Sequence, residues 1–124
     1  MKLKILLYIF FVVIIFQKIL LADEININSS KMKVLDEGNI INAFIVKADI
    51  PKKNIEIEGD EAIYDKKNSQ LTIINNVKFF DRLKNVYIEG KKVIYNQVTD
   101  IVQTFGETYI NIENKYEVNS HDLF

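Results

Sequence analysis

The sequence has no cysteine or tryptophan, and it has one proline, one histidine and four glycines among its 124 residues. Without cysteine there is no disulfide framework, no thiolate metal site and no cysteine nucleophile. The few glycines form no phosphate-binding loop, and a Gly-x-Ser-x-Gly nucleophile turn is absent from the sequence. A chain of this length folds as one domain, so its stability has to come from an ordinary packed core.

Charge is distributed unevenly along the chain. Three of the 16 basic side chains, Lys2, Lys4 and Lys18, lie before Asp23, whereas all 17 acidic side chains lie at or after it. Residues 23–124 therefore carry 13 basic and 17 acidic groups, a net charge of −4. This acidic balance argues against binding to a phosphate backbone, and we expect no nucleic-acid partner.

Residues 1–22 have the layout of a secretory signal. Lys2 and Lys4 precede an uncharged apolar run from Ile5 to Phe16, and Ala22 supplies a small residue before the expected cleavage. The alternative is an uncleaved single-pass anchor, although that requires about 20 apolar residues. Both interpretations export residues 23–124.

The exported part has the pattern of strands and turns throughout. Apolar and polar residues alternate in runs such as Ile55 to Glu58 and Tyr109 to Glu113, which is typical of strands with one buried face. Clusters of Asn, Asp, Gly and Lys separate these runs at short, regular spacing. The sequence therefore predicts an all-β domain over residues 23–124.

An internal repeat supports this prediction. The segment IEGDEAIY from Ile57 to Tyr64 matches IEGKKVIY from Ile88 to Tyr95 without a gap. A third copy begins at Val118 and a divergent first copy at Ile27. A repeat of this period built from strands indicates one unit stacked on its neighbours around a continuous apolar interior.

Strand parity predicts which side chains share a face. If Ile57 points inward, so do Ile88 and Tyr95, whereas Glu58 and Glu89 point outward. The run from Asn39 to Ile50 is ambiguous, because two sets fit the inner face equally well. These sets are Ile41, Ala43 and Ile45, or Phe44, Val46 and Ala48.

These repeats resemble the OstA-like domain of lipopolysaccharide transport (Lpt) proteins. The resemblance is carried by the order of I-x-G-x-x-(A/V)-I-Y and L-x-I-x-N-x-V units, followed by Tyr116-x-Val118-x-Ser120-x-Asp122. It covers about residues 25–124 and is greatest to the periplasmic N-terminal region of the outer-membrane translocon, with the soluble periplasmic bridge protein second. Asn75 stands where the family often has glycine.

The resemblance implies an open β-jellyroll, or β-taco, whose groove shields the acyl chains of lipid A and whose edge strands pair with other OstA-like Lpt proteins. The implied groove residues are Ile55, Ile57, Ala62, Tyr64, Leu71, Ile73, Val77, Phe79, Val86, Ile88, Val93, Tyr95, Val102 and Ile110. Ile25, Ile27 and Val118 are the implied edge residues. We expect a periplasmic protein attached to the outer membrane through a region that follows Phe124, where this chain stops inside a strand.

Candidate chemistry is sparse. His121 has no second histidine or cysteine with which to bind a metal, so we interpret it as a solvated strand residue and expect no catalytic residue, metal or cofactor. The pairs Lys52-Lys53, Lys66-Lys67 and Lys91-Lys92 either contact lipid phosphates or protect turns and edges against aggregation. The competing function is a structural or adhesive β-repeat protein with a filled core and no ligand.

Overall fold

A computed structural model describes residues 24–114 and 116–123. The predicted signal segment, residues 1–22, lies outside the described residues. Within the described part of the chain, no helix is long and apolar enough to span a membrane.

The fold is a single antiparallel sheet in which each strand pairs with the next one in the chain. The strands are β1 (Asn26–Leu35), β2 (Ile40–Ile50), β3 (Ile55–Asp65), β4 (Gln70–Asp81), β5 (Val86–Asn96), β6 (Ile101–Ile112) and β7 (Tyr116–Leu123). Two 3₁₀ turns, Asp36–Gly38 and Pro51–Lys53, connect the first three strands. The predicted all-β class is confirmed.

Turns recur with the sequence repeat and stack on one another. The upper end of the sheet holds turns 36–39, 66–69 and 97–100, and the lower end holds turns 51–54 and 82–85. Neighbouring turns at each end are joined by backbone hydrogen bonds, such as that from the Gln97 N–H to the Ser69 carbonyl at 2.9 Å and that from the Arg82 N–H to the Asn54 carbonyl at 3.1 Å. The repeat predicted from the sequence is therefore a structural repeat.

Most strands bend near their midpoints. The pairing register shifts within every strand pair from β3–β4 to β6–β7. Left-handed backbone conformations occur at equivalent positions of the even strands, at Ile45, Asn75, Asn76 and Gly106. Bulges of this kind bend strands and increase twist. Asn75, at the position where the family often has glycine, has a φ of 62°, a conformation that asparagine tolerates better than most residues.

A left-handed residue in β2 explains why the inner face of this strand was ambiguous in the sequence. Ala43 is buried before the bulge, and Val46 and Ala48 are buried after it, whereas Ile45 has a φ of 52° and is 72% exposed. Because a left-handed residue interrupts the alternation of side chains, the inner face is odd-numbered before Ile45 and even-numbered after it. Each proposed set was therefore right for one half of the strand.

The bends fold the sheet so that its two halves face each other across an apolar interior. The buried core comes from β2 to β5, and partly buried apolar side chains of β1, β3, β5 and β6 pack against it. Charged side chains such as Glu58 and Glu89 lie exposed on the outside. Among the described residues the sheet is not closed, since β1 and β7 each pair with one neighbouring strand.

Candidate functional site: the apolar interior and its mouth

The 14 groove residues implied by the resemblance all belong to the apolar interior. Ten are buried, namely Ile55, Ile57, Ala62, Leu71, Ile73, Val77, Phe79, Ile88, Val93 and Tyr95. The other four, Tyr64, Val86, Val102 and Ile110, are partly buried and pack against them. The structure thus brings the whole set together on one face of the sheet, and their contact with lipid remains a prediction.

Rows of side chains run across the strands at right angles to the chain. In one half of the bent sheet, Ala48 pairs with Ile57, Ile57 with Phe79, Phe79 with Ile88 and Ile88 with Ile110. Cross-strand partners lie side by side on the same face. Each row therefore forms a continuous apolar strip from one edge of the sheet towards the other.

Sequence reasoning left part of this interior undecided. Ala43, Val46, Ala48 and Ile50 of β2 are buried in it, and the first three had been named only within two competing sets, because the left-handed residue Ile45 interrupts the alternation. Two polar residues of β6 also lie inside, where Thr108 donates a hydrogen bond to the Thr104 hydroxyl at 3.0 Å. We expect these mutually bonded hydroxyls to be tolerated in the interior, because their polar groups have partners.

The centre of the interior is filled by the protein's own side chains. The rings of Phe79 and Tyr95 pack at a centroid distance of 5.6 Å, and both are buried. Near β1 the same face is uncovered: Met32 pairs with Ala43 and Val34 with Ile41, so both point towards the interior side. Met32 is 44% and Val34 is 61% exposed. In the other half of the bent sheet, the apolar strip that runs from Met32 through Ala43, Ala62, Ile73 and Val93 is therefore packed in the middle and open at the β1 edge.

The outer strands of the sheet carry the implied edge residues. Ile25 precedes β1 and Ile27 lies in it, and both side chains are partly buried against the core. Val118 lies in β7 opposite Ile110 and is more exposed. Among the described strands, β1 and β7 each have one neighbour, so one row of their backbone groups faces away from the sheet.

Polar side chains join the upper and lower ends of the bent sheet. Lys53 of a lower turn donates hydrogen bonds to the Tyr95 hydroxyl at 3.2 Å and to the Gln97 carbonyl at 2.8 Å. Lys84 of the next lower turn donates to Asp100 of an upper turn at 2.6 Å. We call Lys53, Lys84, Tyr95, Gln97 and Asp100 the mouth cluster, because they connect the two rims of the folded sheet.

Asp100 is the centre of the mouth cluster. Its carboxylate accepts a hydrogen bond from the Tyr95 hydroxyl at 2.7 Å and lies 3.8 Å from the Lys53 ammonium. Partial burial raises the pKa of Asp100, but the hydrogen bonds from Lys84 and Tyr95 and the charges of both lysines outweigh it and hold the pKa below its usual value. The hydrogen bond to Asp100 raises the pKa of Lys84 in turn. The contact between Lys84 and Asp100 is therefore an ion pair at neutral pH.

The outer face carries charged and aromatic side chains. Arg82 pairs with Glu56 at 2.9 Å and lies over the ring of Phe80, which packs against Tyr87. Desolvation, together with a hydrogen bond to Glu89, raises the pKa of Tyr87 to about 12. Across residues 24–114 and 116–123, no three His, Asp or Glu side chains form a group that holds a metal.

Comparison with protein families places most of the chain in a known group. Residues 13–101 match the family model described as LptA/(LptD N-terminal domain) LPS transport protein. A search of curated proteins finds no match to this chain.

Proposed function

Because the chain belongs to the LptA/LptD N-terminal domain family of lipopolysaccharide transport proteins, we propose that its interior shields lipopolysaccharide acyl chains while they cross the periplasm. This is a family of transport domains and not of enzymes. The observation that carries the proposal is the apolar strip that runs across the strands and is uncovered at β1 by Met32 and Val34. An apolar face that ends uncovered at a sheet edge suits a ligand or neighbour that continues it.

The energetics favour acyl chains as the occupant of this strip. Burial of each methylene is worth about 0.8 kcal/mol, so a strip that covers even part of several chains offsets their exposure to water. The partly buried residues at the two ends of the strip that contains Ile57 and Phe79, namely Ile27 and Ile110, would extend the contact beyond the packed centre.

We propose further that edge strands β1 and β7 dock with other OstA-like Lpt proteins by strand addition. An added strand would satisfy the outward backbone groups of each edge. It would also carry the apolar strip into the next domain, because Met32 and Val34 lie at the junction. This arrangement is consistent with a periplasmic position and with attachment to the outer membrane through a following region.

The test is to compare two charge substitutions in β1. Val34 points to the interior side, whereas its neighbour Leu35, which is also exposed, points to the outer face. We expect Val34→Asp to weaken lipopolysaccharide binding by about tenfold or more, since bound acyl chains would bury the new charge without a partner. Leu35→Asp should leave the affinity near the wild-type value. Binding to immobilised lipopolysaccharide is the measurement. Equal loss in both variants would contradict the proposal.

A filled-core β-repeat protein without a ligand is the second candidate. The packing of Phe79 against Tyr95 favours this candidate, because the protein's own side chains occupy the centre of the interior. The same measurement distinguishes the two: wild-type protein that binds no lipopolysaccharide supports the filled-core alternative.

A further inference from the structure

We propose that the mouth cluster is a clasp that a lipid phosphate opens by replacing Asp100 on Lys53 and Lys84. This inference rests on the proposed function and assigns to the lipid headgroup a recognition site separate from the acyl strip. It makes the two lysines specificity-determining residues, and it makes Asp100 the competitor that keeps the mouth closed.

The first argument is the position of the contacts. Lys53 and Lys84 belong to lower turns, whereas Tyr95, Gln97 and Asp100 lie at the upper end of the sheet. Every bond between these two groups therefore spans the mouth. Directly beneath, the buried ring of Tyr95 packs on Phe79, so the clasp lies immediately above the core.

The second argument is the chemistry of the pair. Two ammonium groups converge on one carboxylate, with Lys84 at 2.6 Å and Lys53 at 3.8 Å from its oxygens. The remaining carboxylate nearby, Asp81, is buried and accepts a bond from the backbone N–H of Lys84. An ammonium binds phosphate as a point charge, and a phosphate offers more charge and more acceptor oxygens than a carboxylate. A phosphate can therefore compete with Asp100 for both ammonium groups, and the exchange breaks the hydrogen bond from Tyr95 to Asp100.

The third argument is independent of the charges. Two of the three turns that supply charged partners also present an exposed apolar side chain, Leu83 beside Lys84 and Val98 in the turn of Asp100. Leu83 is 70% and Val98 is 74% exposed. Apolar groups next to ammonium groups suit a molecule in which a phosphate adjoins acyl chains. They would add no binding energy for inorganic phosphate, which has no apolar part.

The experiment compares two lipids and four proteins. The lipids are bisphosphorylated lipid A and the same lipid after enzymatic removal of both phosphates, and inorganic phosphate serves as a third probe. The proteins are the wild type, Lys53→Gln/Lys84→Gln, Asp100→Asn and the control Lys52→Gln, which removes an exposed charge from the same turn as Lys53. Affinity and loading rate are measured, and circular dichroism follows folding.

Wild-type protein and Lys52→Gln are expected to bind the bisphosphorylated lipid at least about tenfold more tightly than the dephosphorylated one. The double variant should lose this preference and keep its affinity for the dephosphorylated lipid. Asp100→Asn should load the bisphosphorylated lipid faster than the wild type, which supports the clasp even if the double variant does not fold.

Three results would overturn the proposal. A double variant that folds and keeps the phosphate preference would exclude the lysines as its source, and an Asp100→Asn variant that loads no faster would exclude Asp100 as the competitor. Saturation of the site by inorganic phosphate at concentrations that leave lipid uptake unchanged would assign it to free phosphate. Failure of the wild type to bind either lipid would instead overturn the proposed transport function.

Discussion

Close packing at single residues decides which side chains fit between neighbouring strands where the sheet bends. Gly59 and Gly90 occupy equivalent positions of the repeat, and each lies beside a register shift. A β-carbon added at Gly59 would overlap the Cγ2 methyl of buried Ile73. At Gly90 the nearest atom, the Thr108 hydroxyl oxygen, would be 3.7 Å away, an ordinary contact.

We therefore predict opposite effects of the same substitution at these two sites. Gly59→Ala should lower the free energy of unfolding by about 1–3 kcal/mol, since Ile73 cannot move without disturbing the core. Gly90→Ala should be neutral or stabilise by up to about 1 kcal/mol, because alanine loses less conformational entropy than glycine in a strand. Urea denaturation of both variants measures the difference. Equal free energies of unfolding for the two variants would show that a β-carbon fits at position 59 without displacing Ile73.

At the scale of the strand, alternation predicts a face reliably only where the backbone is regular. In β3 and β5 the buried positions change parity across a register shift, from Ile57 to Ala62 and from Ile88 to Val93, so alternation alone predicts the inner residues only within each half of the strand. The face of β2 could not be predicted, because Ile45 interrupts a run with apolar residues on both sides. Of the mouth cluster, the sequence singled out only Lys53, as a member of a lysine pair, and Tyr95, as a groove residue.

The contacts of the mouth cluster could not be predicted from the sequence, for a physical reason. Lys53 and Gln97 are far apart in the chain and occupy turns at opposite ends of their strands. In a flat sheet such turns never meet, so only the bends in the middle of the strands bring them together. The positions of these bends have a weak signal in the sequence, since Asn, Ile and Gly all occupy them.

The edge strand β1 allows a prediction about docking. Successive N–H groups of a strand alternate between its two sides, so Ile27→Pro and Asn28→Pro remove donors on opposite sides of β1. One variant loses a bond to β2 and should melt at a lower temperature. The other loses a donor on the outer side and fixes φ, which should weaken docking of a second OstA-like domain at little cost in stability.

Analytical ultracentrifugation with the partner domain and thermal melts of both variants check this prediction. The variant with the smaller change in melting temperature should be the one with weaker docking. Undiminished docking in that variant would show that β1 is not the joint.

At the scale of the whole molecule, the structure combines a filled centre with uncovered ends. Ile, Val and Tyr side chains line a groove as readily as a core, so composition alone does not separate a lipid carrier from a filled repeat protein. The structure adds two features to the family membership: an apolar strip uncovered at Met32 and Val34, and a charged contact across the mouth. Both are expected of an interior that opens for an amphiphile.

Site-specific photo-crosslinking in cells that produce this protein tests the central claim most directly. A photoreactive residue at Met32 or Val34 faces the interior side, and one at Lys31 or Lys33 on the same strand faces outward. The account predicts lipopolysaccharide adducts from Met32 and Val34 and none from the two lysine positions. Adducts of equal yield from all four positions, or none from Met32 and Val34, would contradict it.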